Sequence, residues 1–387
     1  MTVAPPTAPA PPRVAALDVA RGVAILGTLA TNIWIFTDPQ GFVGYLDGGA
    51  RAAVTSPAWR AVEQVAQQLA QGKFLGLLTL MFGIGLELQR RSAARTGRAW
   101  PGRYWVRALL LLLDGLLHYL LVAEFDVLMG YAVTAVVVAA VLARSERVQR
   151  RWMVGAALAH AAVLVLLATA LGTASPAPGG VRLDPDPYAS GSFGDLVLFR
   201  LENLGLFRAE VVLVQALSVA AFLLGAHLVR AGVLDEEGGA LRRRLLLLGA
   251  VALPVDLLLG ITGGTAGLVL ARYGTAPLVA LGLLALVVEV VRRRQEPGAV
   301  GRRLAEVGRS ALSCYVLQNL LASVLCYGWG FGLAARLGPD QRVPGTLLAY
   351  LAVAALVVLA AHGWARRGGR GPVEALWHRS ARALGAR

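Results

Sequence analysis

The sequence predicts an all-α integral membrane protein: a bundle of about ten transmembrane helices, with both termini in the cytoplasm. Three observations predict it. Apolar segments recur from Leu17 to Trp364, each near the ~17–25 residues that cross a hydrocarbon core of ~30 Å. The chain is 57% hydrophobic and 16% charged, with a mean hydropathy of +0.62, less charge than a soluble chain of this length carries. The basic residues collect at alternate gaps. With the N-terminus inside, 28 of the 37 Lys and Arg are cytoplasmic; Arg51, Arg60, Lys73, Arg182, Arg200, Arg208, Arg272, Arg336 and Arg342 are outside. That alternation is the positive-inside pattern and places the protein in the inner (cytoplasmic) membrane.

The elements follow in order. Residues 1–12, MTVAPPTAPAPP, are Pro/Ala-rich and read as a disordered tail. They lack the basic n-region of a signal peptide, so the first span, 16–37, is a retained anchor. Spans at 69–89, 104–123, 126–143 and 152–172 complete an N-terminal half over 13–172. The stretch 173–210 is the longest outside the membrane and lies on the outer face. It opens with the turn-rich GTASPAPGG and LDPDPY. In SFGDLVLFRLENLGLFRAE, Leu196, Phe199, Leu204 and Phe207 share a helical face. They predict an amphipathic helix that lies on the membrane or caps a site; an ordinary connector is the competing reading. Spans at 211–229, 244–262, 265–291, 310–335 and 345–364 form the C-terminal half, 211–387. No internal repeat relates the halves. The tail RRGGRGPVEALWHRSARALGAR is basic, with Leu376, Trp377 and Leu384 as apolar anchors, and reads as a cytoplasmic interfacial helix.

The net charge of +14 would suggest nucleic acid in a soluble protein. Here the excess lies where anionic headgroups lie, so the partner is the lipid bilayer and not nucleic acid. Cys314 and Cys326 are twelve residues apart on one predicted helix, ~18 Å at ~1.5 Å per residue, too far for a disulfide. No metal-ligand spacing occurs. The oligomeric state stays open, a homodimer included.

Several motifs occur in order. The first span carries R-x-x-x-LD-x-x-RG-x-AILG, with Arg13, Leu17, Asp18, Arg21, Gly22 and Gly27, and then Asn32. Span two carries GKFLGLLTLMFGIGLEL, spans three and four R-x6-DG-LLH-x7-DVLMGYAV, span six LLGAHLVRAGVL, span nine VGRSALSCYVLQN, and the tail RGPVEALW. From about residue 13 to 378 this order resembles the YeiB-like bacterial membrane proteins that end in domain-of-unknown-function 418. Those are in turn distantly similar to transmembrane acyltransferases of the heparan-alpha-glucosaminide N-acetyltransferase and acyltransferase-3 types. The resemblance implies transfer of an acyl group from a cytoplasmic acyl-CoA-like donor to an acceptor at the outer face: an envelope lipid, a glycan or a small molecule. The heparan enzyme's catalytic His lies in the loop after span one; the matching loop here, TDPQGFVGYLDGG, has none.

Ionisable groups inside spans are costly and usually face a bundle interior or a wet cavity. The topology gathers His118, Glu124, Asp126, Asn32, Asp38, Gln71, Lys73 and Asp256 near the outer leaflet. Asp114 lies at i, i+4 from His118, on one helix face. A hydroxyl or amine acceptor must lose a proton as it attacks a thioester, and a His near the outer face suits that task. His118 is the candidate base, Asp114 or Asp126 its orienter, and Lys73 with Asn32 the support for an oxyanion. A His in a membrane helix also serves packing alone; His160, His227 and His362 are read that way. On the cytoplasmic side Arg21, Arg103, Arg107 and Arg309 are candidates for the donor's phosphates, although insertion by itself requires arginines there. Asp18 with Arg21 reads as a structural ion pair. Ser313 and Gln318, in the polar inner half of span nine with Ser310, Tyr315 and Asn319, are candidates to line a pantetheine-like arm; interhelical hydrogen bonding is the competing reading. Gly83 and Gly85 have no strand before them and read as helix packing, not a nucleotide loop.

Two other classes compete. A proton-coupled transporter or flippase would relay protons through Asp114, His118 and Asp256, but the sequence has no short Gly/Pro-broken helix pair of the kind many transporters use. A non-catalytic envelope scaffold would tolerate polar-to-Ala changes at His118 and Lys73.

Overall fold

Every segment read as a span contains helix, and no strand occurs among the described residues. The computed structural model describes residues 12–173, 182–294 and 298–385. The expected tail, apart from Pro12, and the GTASPAPGG turn beyond Thr173 lie outside the described residues.

The chain opens with α1 (Pro12–Phe36), the short α2 (Gly41–Asp47) and α3 (Gly49–Ala52), and α4 (Pro57–Ala70). Ser56 caps α4 by accepting from the Trp59 N–H, with Pro57 at the first helical position. α5 (Lys73–Arg95) follows directly. The break at Gln71–Gly72 falls inside the expected second span, within an apolar helical stretch that runs Pro57–Arg95. A side-chain carbon on Gly72 would come within 2.5 Å of the Arg272 carbonyl, and its φ is +74°, so glycine makes the turn.

Next come α6 (Tyr104–Leu121), α7 (Leu128–Leu142), α8 (Glu146–Thr173), α9 (Phe193–Glu202), α10 (Leu204–Leu213) and α11 (Gln215–Arg230). The expected amphipathic helix is thus broken, at Asn203. Leu196 and Phe207 are buried, but Leu204 is exposed, because the break turns it off the shared face. α10 and α11 are bent by 43° at Val214, a break with neither Gly nor Pro, so the sequence pattern does not announce it.

α12 (Gly239–Thr262) and α13 (Gly264–Leu270) lead through a π-helical turn, Ala271–Thr275, into α14 (Ala276–Arg293). α15 (Ala299–Arg309), α16 (Ala311–Cys326), α17 (Leu333–Arg336), α18 (Pro339–Arg366) and α19 (Pro372–Ala383) complete the chain. The ninth segment, expected to reach 335, stops being helix at Cys326. Tyr327 turns extended, and Gly328 donates instead to the Tyr188 carbonyl at 2.8 Å.

Among the described residues seven helical stretches are long and apolar enough to cross a membrane, counting Pro57–Arg95 and Gly264–Arg293 as one each, or eight if the bent α10–α11 pair is one span; α7 and α16 are shorter apolar helices. The protein is an all-helical, multi-pass membrane protein. α1 and α5 are the most enclosed of these helices, and α8 is the most turned outward. Small residues set the central packing. A side-chain carbon at Gly22 would lie 2.0 Å from the Leu304 carbonyl, and one at Gly308 1.8 Å from the Asp18 carbonyl, so α1 and α15 touch backbone to backbone. Gly83 does the same against Phe222 on α11, whereas Gly85 faces open space.

Polar locks close one end. Buried Glu87 accepts from Arg90 at 2.9 Å, Arg91 at 3.0 Å and Arg230 at 3.3 Å, tying α5 to α11. Glu374 of the tail caps α16, accepting from the Leu312 and Ser313 N–H groups at 2.7 and 3.1 Å and from the Ser313 hydroxyl at 2.5 Å. A carboxylate satisfies the orphan donors of a helix N-terminus and complements its dipole. In α19, Trp377 lies under the Arg107 guanidinium, 5.8 Å from its centroid, while Leu376 and Leu384 stay exposed.

Candidate functional site

One end of the bundle, rich in loops, holds α2–α4, the α6–α7 turn, α9–α10 and α17; the opposite end gathers the arginines. His118 lies in the last turn of α6 at the loop-rich end, and its carbonyl accepts from the Val122 and Ala123 N–H groups at 2.9 Å each. The chain then turns back and lays Asp126 against α6. Gly115 admits the carboxylate: a side-chain carbon there would sit 2.9 Å from Asp126 Oδ2. His118 Nδ1 is 3.3 Å from Asp126 Oδ1, and Asp126 Oδ2 accepts from the Met129 N–H at 3.0 Å.

On the other side of the ring, the Asn319 side-chain amide lies 3.1 Å from His118 Nε2. Asn319 Oδ1 accepts from Asn32 Nδ2 at 3.2 Å, and the Tyr315 ring stacks on the imidazole at 4.8 Å between centroids. Asp126, His118, Asn319 and Asn32 thus form one line through α7's approach, α6, α16 and α1. With Asn319 donating to Nε2, the ring proton is assigned to Nδ1, facing Asp126. Nδ1 and Oδ1 are close, but neither makes an aligned hydrogen bond. Asp114 makes no hydrogen bond to His118; its Oδ2 is buried without a partner.

The line ends at a cavity of about 620 Å³, where Asn32 and Tyr315 form part of the wall with Thr28, Gln67, Gln68 and Arg51. His118 itself is 2% exposed and stands behind Asn319. A roof covers this end. Buried Glu124 accepts from the Tyr188 hydroxyl at 2.9 Å and from Arg200 Nε at 3.1 Å, and Arg200 also donates to the Leu120 and Val122 carbonyls at 2.9 and 3.1 Å. Arg208 donates to the Asp126 carbonyl at 3.0 Å and contacts that of Glu124. α9 and α10 are therefore clamped over the α6–α7 turn that carries Asp126.

Beside the roof, Asp38 is buried just beyond α1, accepting from the Gln40 N–H at 3.0 Å. Burial pushes its carboxyl up to about 6, against that backbone hydrogen bond and the nearby Arg342.

Lys73 lies elsewhere. It is buried against Asp256 and donates to the Gln68 and Gln71 carbonyls at 2.5 and 3.3 Å. Asp256 also accepts from Gln68 Nε2 at 2.8 Å and the Thr275 hydroxyl at 3.0 Å. The structure brings Asn32 to His118 through Asn319 and keeps Lys73 in this separate pair.

At the arginine-rich end, Arg21 pairs with Asp18 at 3.3 Å, and Arg309 acts on the same carboxylate through space. Arg107 donates to Gln89 at 2.5 Å. Arg103 and Arg107 line a small pocket of about 180 Å³ with Trp100 and Tyr104. The four candidate arginines thus fall into two groups. Ser313 is engaged by Glu374, whereas Gln318 donates to the Thr28 hydroxyl at 3.2 Å and keeps Oε1 without a partner. Among the described residues no group of His, Cys, Asp and Glu is arranged to hold a metal. His160 bonds the Tyr273 carbonyl at 3.0 Å, His362 contacts Arg303 and Glu306, and both cysteines are buried and free.

A span running from 310 to 335 puts Asn319 in its inner half, away from His118. The helix ending at Cys326 shifts Asn319 toward the loop-rich end; the early polar run of that span was its only signal. Arg200, within the predicted outer helix, and Tyr188, in the connection before it, gave none.

The family model described as "Protein of unknown function (DUF418)" matches residues 228–383. The uncharacterised protein YxaH of Bacillus subtilis (strain 168) is 24% identical over 386 residues, 94% of this chain and 93% of its own length. The uncharacterised protein YeiB of Escherichia coli (strain K12) is 28% identical over 385 residues, 93% of this chain and 94% of its own length. The two matches run almost end to end, so they take in both the helices that carry His118 and Asn32 and the C-terminal region that supplies Asn319. The chain carries a DUF418 region over residues 228–383 and is similar almost end to end to YxaH and YeiB.

Proposed function

We propose that the protein is an acyltransferase, moving an acyl group from a cytoplasmic acyl-CoA-like donor to an envelope acceptor at the loop-rich end, taken as the outer face of the inner membrane. The basic residues gathered at the opposite end support that orientation. The observation that carries the reading is the buried Asp126–His118–Asn319–Asn32 line ending on the cavity.

The acceptor's oxygen attacks the thioester carbonyl carbon. Its proton passes to His118 Nε2, the C–S bond breaks, and the thiol leaves with that proton. The Asp126 carboxylate, 3.3 Å from Nδ1, steadies the imidazolium by its charge, as in base–orienter pairs. Asn32 donates to the developing oxyanion. Asn319 occupies Nε2 in the resting state, so its amide must swing aside when the acceptor enters. On the donor side, the pocket beneath Arg103 and Arg107 and the separate pair Arg21 and Arg309 offer guanidinium groups for phosphates. Gln318 and Thr28 continue a polar track from α16 to the cavity, with Ser313 at its start.

The test is acyl-CoA turnover by the purified protein with a panel of hydroxyl and amine acceptors. His118→Ala is expected to lose ~10²–10⁴-fold in rate with an unchanged melting temperature. Full turnover in that variant sinks the assignment. A transporter is the second reading, favoured by the bend between α10 and α11 and the π-helical turn beside the cavity. Flux that depends on a proton gradient and leaves its cargo unmodified would establish it.

A further inference from the structure

Next to the polar cavity lies an apolar groove of about 480 Å³. Gly72, Leu75, Val127, Arg272 and Tyr273 border both spaces, so the two meet across one partition. The groove runs along α8, the helix least covered by its neighbours; Leu158 and Leu166 on it are 65% and 69% exposed. It therefore opens at bilayer depth.

Most polar side chains on the groove wall are paired, although His160 Nδ1 is buried without a partner. His160 bonds the Tyr273 carbonyl at 3.0 Å, Thr79 bonds Tyr131 at 2.5 Å, and Gln215 bonds Thr134 at 2.6 Å. Most of the lining is apolar, so its occupant is chiefly hydrocarbon. The cavity is the reverse. Arg51 donates to Gln67 at 3.1 Å and Arg272 to Glu210 at 2.6 Å, yet the Nε–H of each is buried without a partner, as is Gln68 Oε1. Two guanidinium donors call for an oxyanion, and the amide oxygen calls for a hydroxyl or N–H donor. One molecule that satisfies both spaces has a hydrocarbon chain joined to a phosphate and a hydroxyl.

We infer that the acceptor is a phospholipid with a hydroxyl-bearing headgroup, entering sideways from the bilayer with an acyl chain in the groove and its headgroup in the cavity. The idea that it is acylated rests on the acyltransferase reading; the binding does not. In that reading the headgroup hydroxyl is the attacking oxygen, its proton goes to His118 Nε2, and the donor's thiol departs.

The experiment measures binding without any donor. Delipidated full-length protein in detergent is titrated with phosphatidylglycerol, phosphatidylcholine and soluble glycerophosphoglycerol, read by native mass spectrometry. Ala157→Trp and Ala161→Trp fill the groove from exposed positions on α8. Arg51→Gln removes a headgroup donor, and Leu158→Trp adds a ring on the same helix outside the groove. Phosphatidylglycerol is expected to bind best and to weaken at least about tenfold in Ala157→Trp, Ala161→Trp and Arg51→Gln, but not in Leu158→Trp. Equal binding by all four variants overturns the inference. So does phosphatidylcholine bound as tightly as phosphatidylglycerol, or the soluble headgroup bound as tightly as the lipid. Groove-dependent binding without acylation on adding acyl-CoA keeps the lipid site and sinks the transfer reading. Acyl transfer to a soluble acceptor, without groove-dependent lipid binding, does the opposite.

Discussion

Two buried charged clusters sit at the same end of the bundle, and they differ in how completely they are paired. Lys73 has three donors, and all three are used, on Asp256 and two carbonyls. Asp256 is likewise bonded on both oxygens. The His118 cluster is left open: Nδ1 and Asp126 Oδ1 meet without an aligned hydrogen bond, and the line from the imidazole leads to a cavity wall. A saturated buried pair has no capacity left for a substrate, and breaking it is costly. An unsaturated one can accept a proton or a ligand. Lys73–Asp256 therefore holds α5, α12 and the π-helical turn together, and under the proposed function the open His118 cluster is the one left for chemistry.

The largest effect should come from breaking the saturated cluster. Asp256→Ala leaves the Lys73 ammonium buried and unpaired and is expected to cost ~3–5 kcal/mol, seen as a large loss of thermal stability in detergent. The double variant Lys73→Met/Asp256→Leu should recover most of it. Wild-type stability in Asp256→Ala would erase the contrast. Next is Asp126→Asn in the open cluster. It preserves shape but removes the charge that stabilises the imidazolium, so turnover should fall ~10²-fold or more while stability changes little. A collapse of the fold instead would make both clusters structural.

The smallest effect concerns Asp38, a third buried acid at this end. Its carboxyl titrates near pH 6, against 3.8 for an unperturbed group. A raised folded value means that the native state binds the extra proton between those pH values, so stability falls as pH rises through that window. Asp38→Asn should therefore be more stable than wild type at pH 8, by at most ~3 kcal/mol, and lose that advantage below about pH 4. Melting curves at the two pH values decide it. An advantage independent of pH would show that the Asp38 charge costs nothing.

The helical, membrane-crossing character of the chain was legible because apolar length is a local property, although seven or eight of the described helices, not ten, are long and apolar enough to cross. Boundaries were less so. The break at Gly72 answers to the Arg272 carbonyl, two hundred residues away. The end of α16 answers to Tyr188 in the α8–α9 connection, and the bend at Val214 has no local marker. His118, Asp126 and Asn32 were named from depth and residue type, but depth does not say which helices are neighbours. Asp114 and Lys73 share the right depth and lie apart from the imidazole.

By itself the sequence determined that this chain is a helical membrane protein that resembles the YeiB-like proteins, because hydrophobic length, small-residue motifs and the order of those motifs are written along one dimension. Only the tertiary structure decided which polar groups meet. Asn319 lies 201 residues from His118, and Asn32 lies 287 from Asn319. Pairing at that separation is set by helix packing, where Gly22, Gly83 and Gly308 let backbones touch. The same packing settled which buried polar groups are paired and which are left without a partner.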